Sequence, residues 1–457
     1  MRQHEPIMTA GTKTSNTAWL LLMLIVLLGT HLRVQMVAHT EVIDPVRSDA
    51  RDYVLYALNL ERFGVYSGSG ASLGTGSTPS PDAVRPPGYP AFLYAVFSAT
   101  SDEFRIRGAL WAQTMLSVLA IPLSFLLFQR FLPPFFSLTA TLLVAISPHL
   151  VAVNIYLLTE TLYCAFLLLL FFLASRFFHK PDTGSALLIG LTSGLATLVR
   201  PALQFFIVPL AILVGTRASG RRALVWGIAA LLAHATVVGA WTARNLSAIG
   251  RTSDPTLQIN FLHHGLYPDF MYNGDPRSYG YPYRFDPNSP LIRKSSEAAL
   301  AEIKRRFSED PADYARWYLI GKPLAFWSWN YVQGMGDVFI YEVGRSPYSS
   351  DRLFRATHRL MRSVHWPLIA LGALGALVPW LPRRWRGEVE MSGLYTLRAV
   401  SLLLIYYTLL HMVGAPFPRY ATPLRPFLFG IATFAVYWSW RRLIPGGAHH
   451  GHAAATE

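Results

Sequence analysis

IYLLTETLYCAFLLLLFFLASRF, residues 155–177, decides the fold class. It is long enough to cross a hydrocarbon layer, which takes about 20 mainly apolar residues. Its basic residue, Arg176, stands at one end and its acidic residue, Glu160, at the other. Nine further stretches read alike: 18–37, 107–128, 132–149, 184–199, 202–216, 223–243, 364–381, 395–414 and 421–440. Of the 457 residues, 52% are hydrophobic and only 14% charged, against about 25% charged in an ordinary soluble domain. These proportions predict an all-α polytopic membrane protein with about ten transmembrane helices. The pair 184–199 and 202–216 is short and divided by Pro201, so it reads as one broken span or two tilted helices.

Charge sets the orientation. The net charge is +14, and basic residues collect on cytoplasmic turns of membrane proteins. With the N-terminus inside, those turns hold Arg130; Arg176 and Lys180; Arg217, Arg221 and Arg222; Arg383, Arg384 and Arg386; and Arg441 and Arg442. The basic excess is thus explained by topology, and no nucleic-acid partner is expected. The N-terminal apolar run has no small-x-small cleavage site after it and reads as an uncleaved first helix. Cys164, the single cysteine, lies within an apolar run and reads as a packing residue. The chain divides into a catalytic transmembrane module, 1–243, which includes an outer loop at 38–106; an outer segment, 244–363, between helices seven and eight; C-terminal membrane helices, 364–443; and a cytoplasmic tail, 444–457.

Both outer parts have texture. In the first, Asp44-Pro45 reads as a cap and first turn, with an interfacial helix over 45–63 that carries Asp49, Tyr53, Tyr56 and Leu60 on one face and Asp52 off it. A Gly/Ser-rich segment, 64–82, reads as a mobile lid, and a second interfacial helix follows over 89–100. In the second, 306–335 mixes Arg and Lys with Trp and Tyr, as in helices lying on a membrane surface. His263, His264 and Asp269 have no recognised metal-ligand spacing, and His449, His450 and His452 fall in the tail.

Ionisable groups recur at the outer ends: Asp49, Glu160, Arg200, Arg244 and Arg419. Such groups near membrane depth are expensive and mark function. Two carboxylates and several arginines suit the handling of an anionic phosphate and the activation of a hydroxyl.

Five stretches carry a resemblance. SDARDY at 48–53, running on to Leu60; RPPGYP at 85–90; LTETL at 158–162; LVRP at 198–201 with ARN at 243–245; and APFPRY at 415–420, with Pro423 and Pro426, stand in order along the chain. Together they resemble the GT-C superfamily of membrane glycosyltransferases, in the branch of the protein O-mannosyltransferases and the lipid A aminoarabinose transferase. The resemblance implies a polyprenyl-monophosphate sugar as donor, a glycolipid, polysaccharide or protein as acceptor, and a site on the outer side of a cytoplasmic (inner) membrane. Asp49 is then the general base for inverting transfer, and Glu160 positions the acceptor or base, or ligates a metal. Arg419, with Arg200 and Arg244, is the candidate for the donor phosphate, since a guanidinium pairs with phosphate oxygens through two parallel bonds. Tyr53, Arg85, Tyr89 and Tyr420 are candidate substrate-lining residues, although Tyr53 and Tyr420 read first as packing or interface aromatics. No cofactor is required; a divalent cation is compatible with the set. Two alternatives stand beside this reading. One is an O-antigen ligase or polymerase using a diphosphate-linked glycan. The other is a secondary transporter, which would place charges near the midplane and commonly shows repeated halves.

Overall fold

A computed structural model describes residues 15–74 and 76–443. The tail at 444–457, with its three histidines, and most of the polar N-terminus lie outside the described residues.

The first ten helices run α1 Asn16–His39, α2 Ser48–Phe63, α3 Gly88–Ser98, α4 Arg105–Phe128, α5 Pro134–Ile146, α6 Pro148–Ala152, α7 Glu160–His179, α8 Thr183–Val199, α9 Ile207–Gly215 and α10 Gly220–Ile249. After an irregular, partly helical segment come helices at Arg352–Ser363, His365–Leu377, Met391–Val413 and Arg425–Leu443. Each of the ten apolar stretches contains a helix. Five of these are long and apolar enough to cross a membrane: α1, α4 with the short turn before it, α7, α10 and the 391–413 helix. The number rises to seven if two bent pairs, α5 with α6 and 352–363 with 365–380, each count as one span. The α8 helix is apolar but shorter, at 17 residues.

At the centre stands α7, packed against α4, α8 and the 391–413 helix. It begins at Glu160, not at residue 155 as its apolar run predicts. Residues 153–159 are buried, a 3-10 turn at Val153–Ile155 followed by non-helical backbone at 156–159. Non-helical backbone at membrane depth must find polar partners within the protein. Gln113 provides them, its Nε2 donating to the carbonyls of Asn154 (2.8 Å) and Tyr156 (2.7 Å). Asn154 Nδ2 in turn donates to the carbonyls of Leu150 and Val151. With those groups satisfied the chain breaks without penalty, and Glu160 becomes a first-turn residue.

Proline makes the next break. The residue before a proline is driven to extended backbone, and Arg200, ahead of Pro201, has φ −142° and ψ 114°. So α8 ends there and α9 starts afresh at Ile207: the stretch 184–216 is two helices.

The loop after α1 departs from expectation at its start. α2 begins at Ser48, and its flanking residue Arg47 makes no side-chain cap. Asp44 is irregular and Pro45 lies in a bend, because residues 41–43 are taken up by a pairing with residues 342–345. Strands β1 (Glu41–Val42) and β2 (Val343–Arg345) are antiparallel, and Ile43 N donates to the Glu342 carbonyl at 3.1 Å. Ser48 itself has φ +46°, an uncommon conformation for a residue with a side chain, immediately before Asp49. The helix closes on Gly64, whose φ of +66° is the left-handed cap that glycine adopts at least cost. Gly88 opens α3 where it meets α8: a Cβ there would lie 2.8 Å from the Leu198 carbonyl. That approach holds the Arg85 segment beside Arg200.

Candidate functional site

Two acidic residues of α2, one at the head of α7, and three arginines from three different connections meet at one end of the helix bundle. Arg85 Nη2 donates to Asp49 Oδ1 and to Asp52 Oδ2, both at 2.7 Å, and its Nε to Asp52 Oδ2 at 3.0 Å. Asp49 Oδ2 accepts from Arg419 Nη2 at 2.7 Å. Arg419 Nε faces Glu160 Oε1 at 3.2 Å, and the same oxygen accepts from Arg200 Nη2 at 3.2 Å. The result is one alternating chain, Asp52–Arg85–Asp49–Arg419–Glu160–Arg200. Asp52, predicted to lie off the face of Asp49, is joined to it through Arg85, whose fork spans both carboxylates.

Burial differs along the chain. Glu160 is 1% exposed, Asp49 27% and Asp52 43%, so solvent reaches the two α2 carboxylates and not Glu160. As the first residue of α7, Glu160 also lies at the positive end of that helix. Burial pushes the Asp49 carboxyl up, but Arg419 and Arg85 outweigh it and hold the group well below the usual carboxylate range.

Aromatic rings wall the cluster. The Tyr420 ring lies 4.9 Å from the Arg200 guanidinium and 5.5 Å from that of Arg419. Arg85 lies 5.3 Å from the Tyr53 ring. Tyr89 stands a layer back, its ring edge-on to Tyr53 at 5.1 Å and its hydroxyl donating to Gln113 Oε1. Burial moves the Tyr53 hydroxyl up to about 12, so it stays protonated.

Arg244 sits elsewhere. Its Nη1 donates to the Asp82 carbonyl (2.8 Å) and its Nη2 to that of Tyr66 (3.1 Å), while its guanidinium stacks over Tyr66 and Trp241. It braces the Gly/Ser-rich segment and makes no ion pair with the carboxylates. That segment has further tethers. Asn59 Nδ2 donates to the carbonyls of Ser67 and Ser69, Arg62 Nη1 to those of Ser72 and Gly74, and Asp82 accepts from Gly68 N and from the Tyr56 hydroxyl. Between the tethered ends, Gly76, Ser77 and Thr78 are exposed.

The long segment reaches the site where the sequence offered no motif. The β1–β2 pairing carries Tyr341 beside α2. Its buried hydroxyl lies within electrostatic reach of Arg419 and Asp49. His264 is stacked on Tyr283 with ring centroids 4.3 Å apart, edge-on to Phe417. Burial, with His263 and Arg293 nearby, pushes its imidazole down to about 3, leaving it neutral. His263 hydrogen-bonds Tyr267, which donates to Asp286. Among the described residues no three His, Cys, Asp or Glu side chains are gathered as a metal site.

The fold and site define a multi-pass helical membrane protein with a carboxylate–arginine cluster at one end of its bundle. Residues 84–241 match the family model of dolichyl-phosphate-mannose-protein mannosyltransferases, a stretch holding Arg85, Tyr89, Glu160 and Arg200. Over that stretch, about a third of its length, the chain is similar to a family of membrane glycosyltransferases. No curated protein sequence matches it. Among solved structures, it is similar to the oligosaccharyltransferase of Archaeoglobus fulgidus tethered with an acceptor peptide. The identity is 14%, the TM-score 0.47, and the match covers 96% of this chain and 52% of that one. The AglB oligosaccharyltransferase of the same organism, with an inhibitory peptide and a dolichol-phosphate, gives 14%, 0.46, 96% and 53%. ArnT from Cupriavidus metallidurans, bound to undecaprenyl phosphate, gives 12%, 0.36, 94% and 80%. The chain spans about half the length of the archaeal enzymes.

Proposed function

We propose that the chain transfers a sugar from a polyprenyl-monophosphate donor to an acceptor on the outer side of a cytoplasmic membrane, with inversion at the anomeric carbon. The contiguous Asp49–Arg419–Glu160–Arg200 chain carries this reading. The matched family, described by a dolichyl-phosphate sugar donor, supports the donor class. A lipid donor also suits a site at the end of a membrane bundle, which it enters from the bilayer.

In the proposed reaction Asp49 takes the proton from the acceptor hydroxyl. The hydroxyl oxygen forms a bond to the anomeric carbon, and the bond from that carbon to the phosphate oxygen breaks. The electron pair leaves with the phosphate, which Arg419 and Arg200 stabilise. At rest the three arginines are matched by Asp49, Asp52 and Glu160, so an arriving phosphate competes with Asp49 for Arg419. Donor binding therefore loosens one of the two arginines on Asp49 and makes it a stronger base as the acceptor arrives. The decisive experiment is transfer of labelled sugar from synthetic polyprenyl-phosphate donors to envelope lipid, glycan and protein fractions. Incorporation only from a diphosphate-linked glycan would replace this reading with a ligase or polymerase.

Placement is checked separately. The proposed fold has ten membrane passages and both termini in the cytoplasm, so reporters at Gly74 and Ser289 are expected outside and one after Arg442 inside. A cytoplasmic signal at Ser289 would put the site on the wrong face.

The 64–82 segment is proposed to close over bound donor. A broad-specificity protease is expected to cut around Gly76–Thr78, and more slowly with a non-transferable donor analogue present. Equal cleavage in both conditions would leave the segment a simple connection.

A further inference from the structure

Behind Glu160, inside the bundle, lies a small cavity whose walls include Arg33, Ser117, Thr161, Cys164 and Thr422 along with Glu160. The two faces of Glu160 are treated differently. Its Oε1 takes both site arginines, whereas Oε2 is buried without a hydrogen-bond partner.

Arg33 lies within the apolar α1 helix and is 1% exposed. A buried charge in a membrane helix is expensive and is retained for a partner or a function. Its guanidinium is fixed by four hydrogen bonds: Nε to Ser117 Oγ (2.8 Å), Nη1 to the carbonyls of Gly29 (3.1 Å) and Ala145 (2.8 Å), and Nη2 to that of Val144 (3.2 Å). None is to a carboxylate. A guanidinium has five N–H groups, so one N–H on Nη2 is left over. From Arg33 a buried polar chain runs on. Ser117 Oγ also accepts from Asn154 Nδ2 (3.2 Å), and Asn154 Oδ1 accepts from the hydroxyl of Thr161 (3.3 Å), the residue after Glu160. Arg33 is thus tied to the first turn of α7 by hydrogen bonds and shares a cavity with the unpartnered Glu160 oxygen.

We propose that Arg33 is a positioning residue for Glu160. Its fixed positive charge stands across the cavity from the carboxylate, and the Ser117–Asn154–Thr161 chain sets the first turn of α7. Together they present Oε1 to Arg200 and Arg419 on the substrate side. The positioning role rests on the reading of that cluster as the donor site; the electrostatic coupling of Arg33 to Glu160 does not.

Two double-mutant cycles with Arg33→Met and Glu160→Gln test the two parts in the full-length protein. In thermal unfolding, Arg33→Met is expected to lower Tm in the wild-type background and markedly less in the Glu160→Gln background. In sugar transfer, Arg33→Met is expected to lower kcat on the order of 10- to 100-fold, the scale of a misplaced site group. KM for donor should stay nearly unchanged, Arg33→Lys should restore much of kcat, and Arg33→Met should add little to Glu160→Gln. Additive Tm shifts overturn the coupling. Coupled Tm shifts with an unaltered kcat overturn the positioning role. A wild-type protein that shows coupled Tm shifts but transfers no sugar from any polyprenyl-phosphate donor sinks the functional reading and leaves the Arg33–Glu160 coupling standing.

Discussion

Asp49→Asn is expected to slow sugar transfer by about 10²–10⁴-fold, the range lost with a general base, while donor binding holds or tightens. The reason is the ion-pair geometry. Asp49 pairs with Arg419, the proposed holder of the incoming phosphate. An amide of the same shape cannot take the acceptor proton, and it also withdraws the charge that competes for the guanidinium. A pH signature accompanies the rate. In the free protein Arg419 and Arg85 hold the Asp49 carboxyl well below its usual range, so it stays ionised far into acid. Once phosphate draws Arg419 away, one depressing charge is lost and the carboxyl takes up a proton at higher pH. Because kcat/KM reports the free enzyme and kcat the bound complex, the acid limb of kcat should lie at higher pH than that of kcat/KM. Purified wild type and variant, assayed with a synthetic donor and with donor binding measured in parallel, give both results. Should Asp49→Asn keep most of the wild-type rate, the base is another group, and Asp52, held on the same arginine, is the first to try.

The cluster was legible in the sequence because charge is costly in a membrane protein: a carboxylate heading an apolar run and arginines beside prolines stand out against hydrophobic flanks. Asp49, Glu160, Arg200 and Arg419 were visible on that ground, and they meet. Hydropathy does not say which charges meet. Arg244 has the same sequence signature, yet it turns to backbone carbonyls of the Gly/Ser-rich segment. Asp52 was set aside by helical periodicity, which places side chains around one helix. It does not foresee an arginine from another element, Arg85, reaching across two neighbouring positions.

Other features were hidden for reasons of range. Tyr341 comes within electrostatic reach of Asp49 through a pairing of two and three residues just over three hundred positions apart in the chain, too short for any alternation to show. The same pairing moved the start of α2 from Pro45 to Ser48. Arg33 carried a signal, a lone charge in an apolar run, but hydropathy alone does not say what such a charge faces. Helix boundaries shifted where side chains replaced backbone partners: Gln113 and Asn154 let the chain stay non-helical at 156–159, at the head of a run that hydropathy reads as helix from 155.

Arg419→Ala is expected to damage both donor binding and the chemical step, unlike the change at Asp49. The phosphate is present before and during transfer, so a group that holds it contributes to both states; its negative charge grows as the sugar leaves, so the contribution is larger in the transition state. A hydrogen bond to a charged group is worth about 1.5–3 kcal/mol, and about 1.4 kcal/mol is a factor of ten. Donor Kd should therefore rise roughly 10- to 100-fold, with a further fall in kcat. Arg419→Lys separates charge from shape. An ammonium keeps the charge, but it cannot serve Asp49 and Glu160 from two nitrogens in one plane as Nη2 and Nε do, so binding should return in part and kcat less. Folding is protected by what remains: Arg85 still pairs with Asp49 and Arg200 with Glu160, so neither carboxylate is left alone, and Tm reports any wider collapse. Unchanged donor Kd in a well-folded Arg419→Ala protein would remove Arg419 from the phosphate site. Arg200, which meets the same oxygen of Glu160 from the other side, would then be the next candidate.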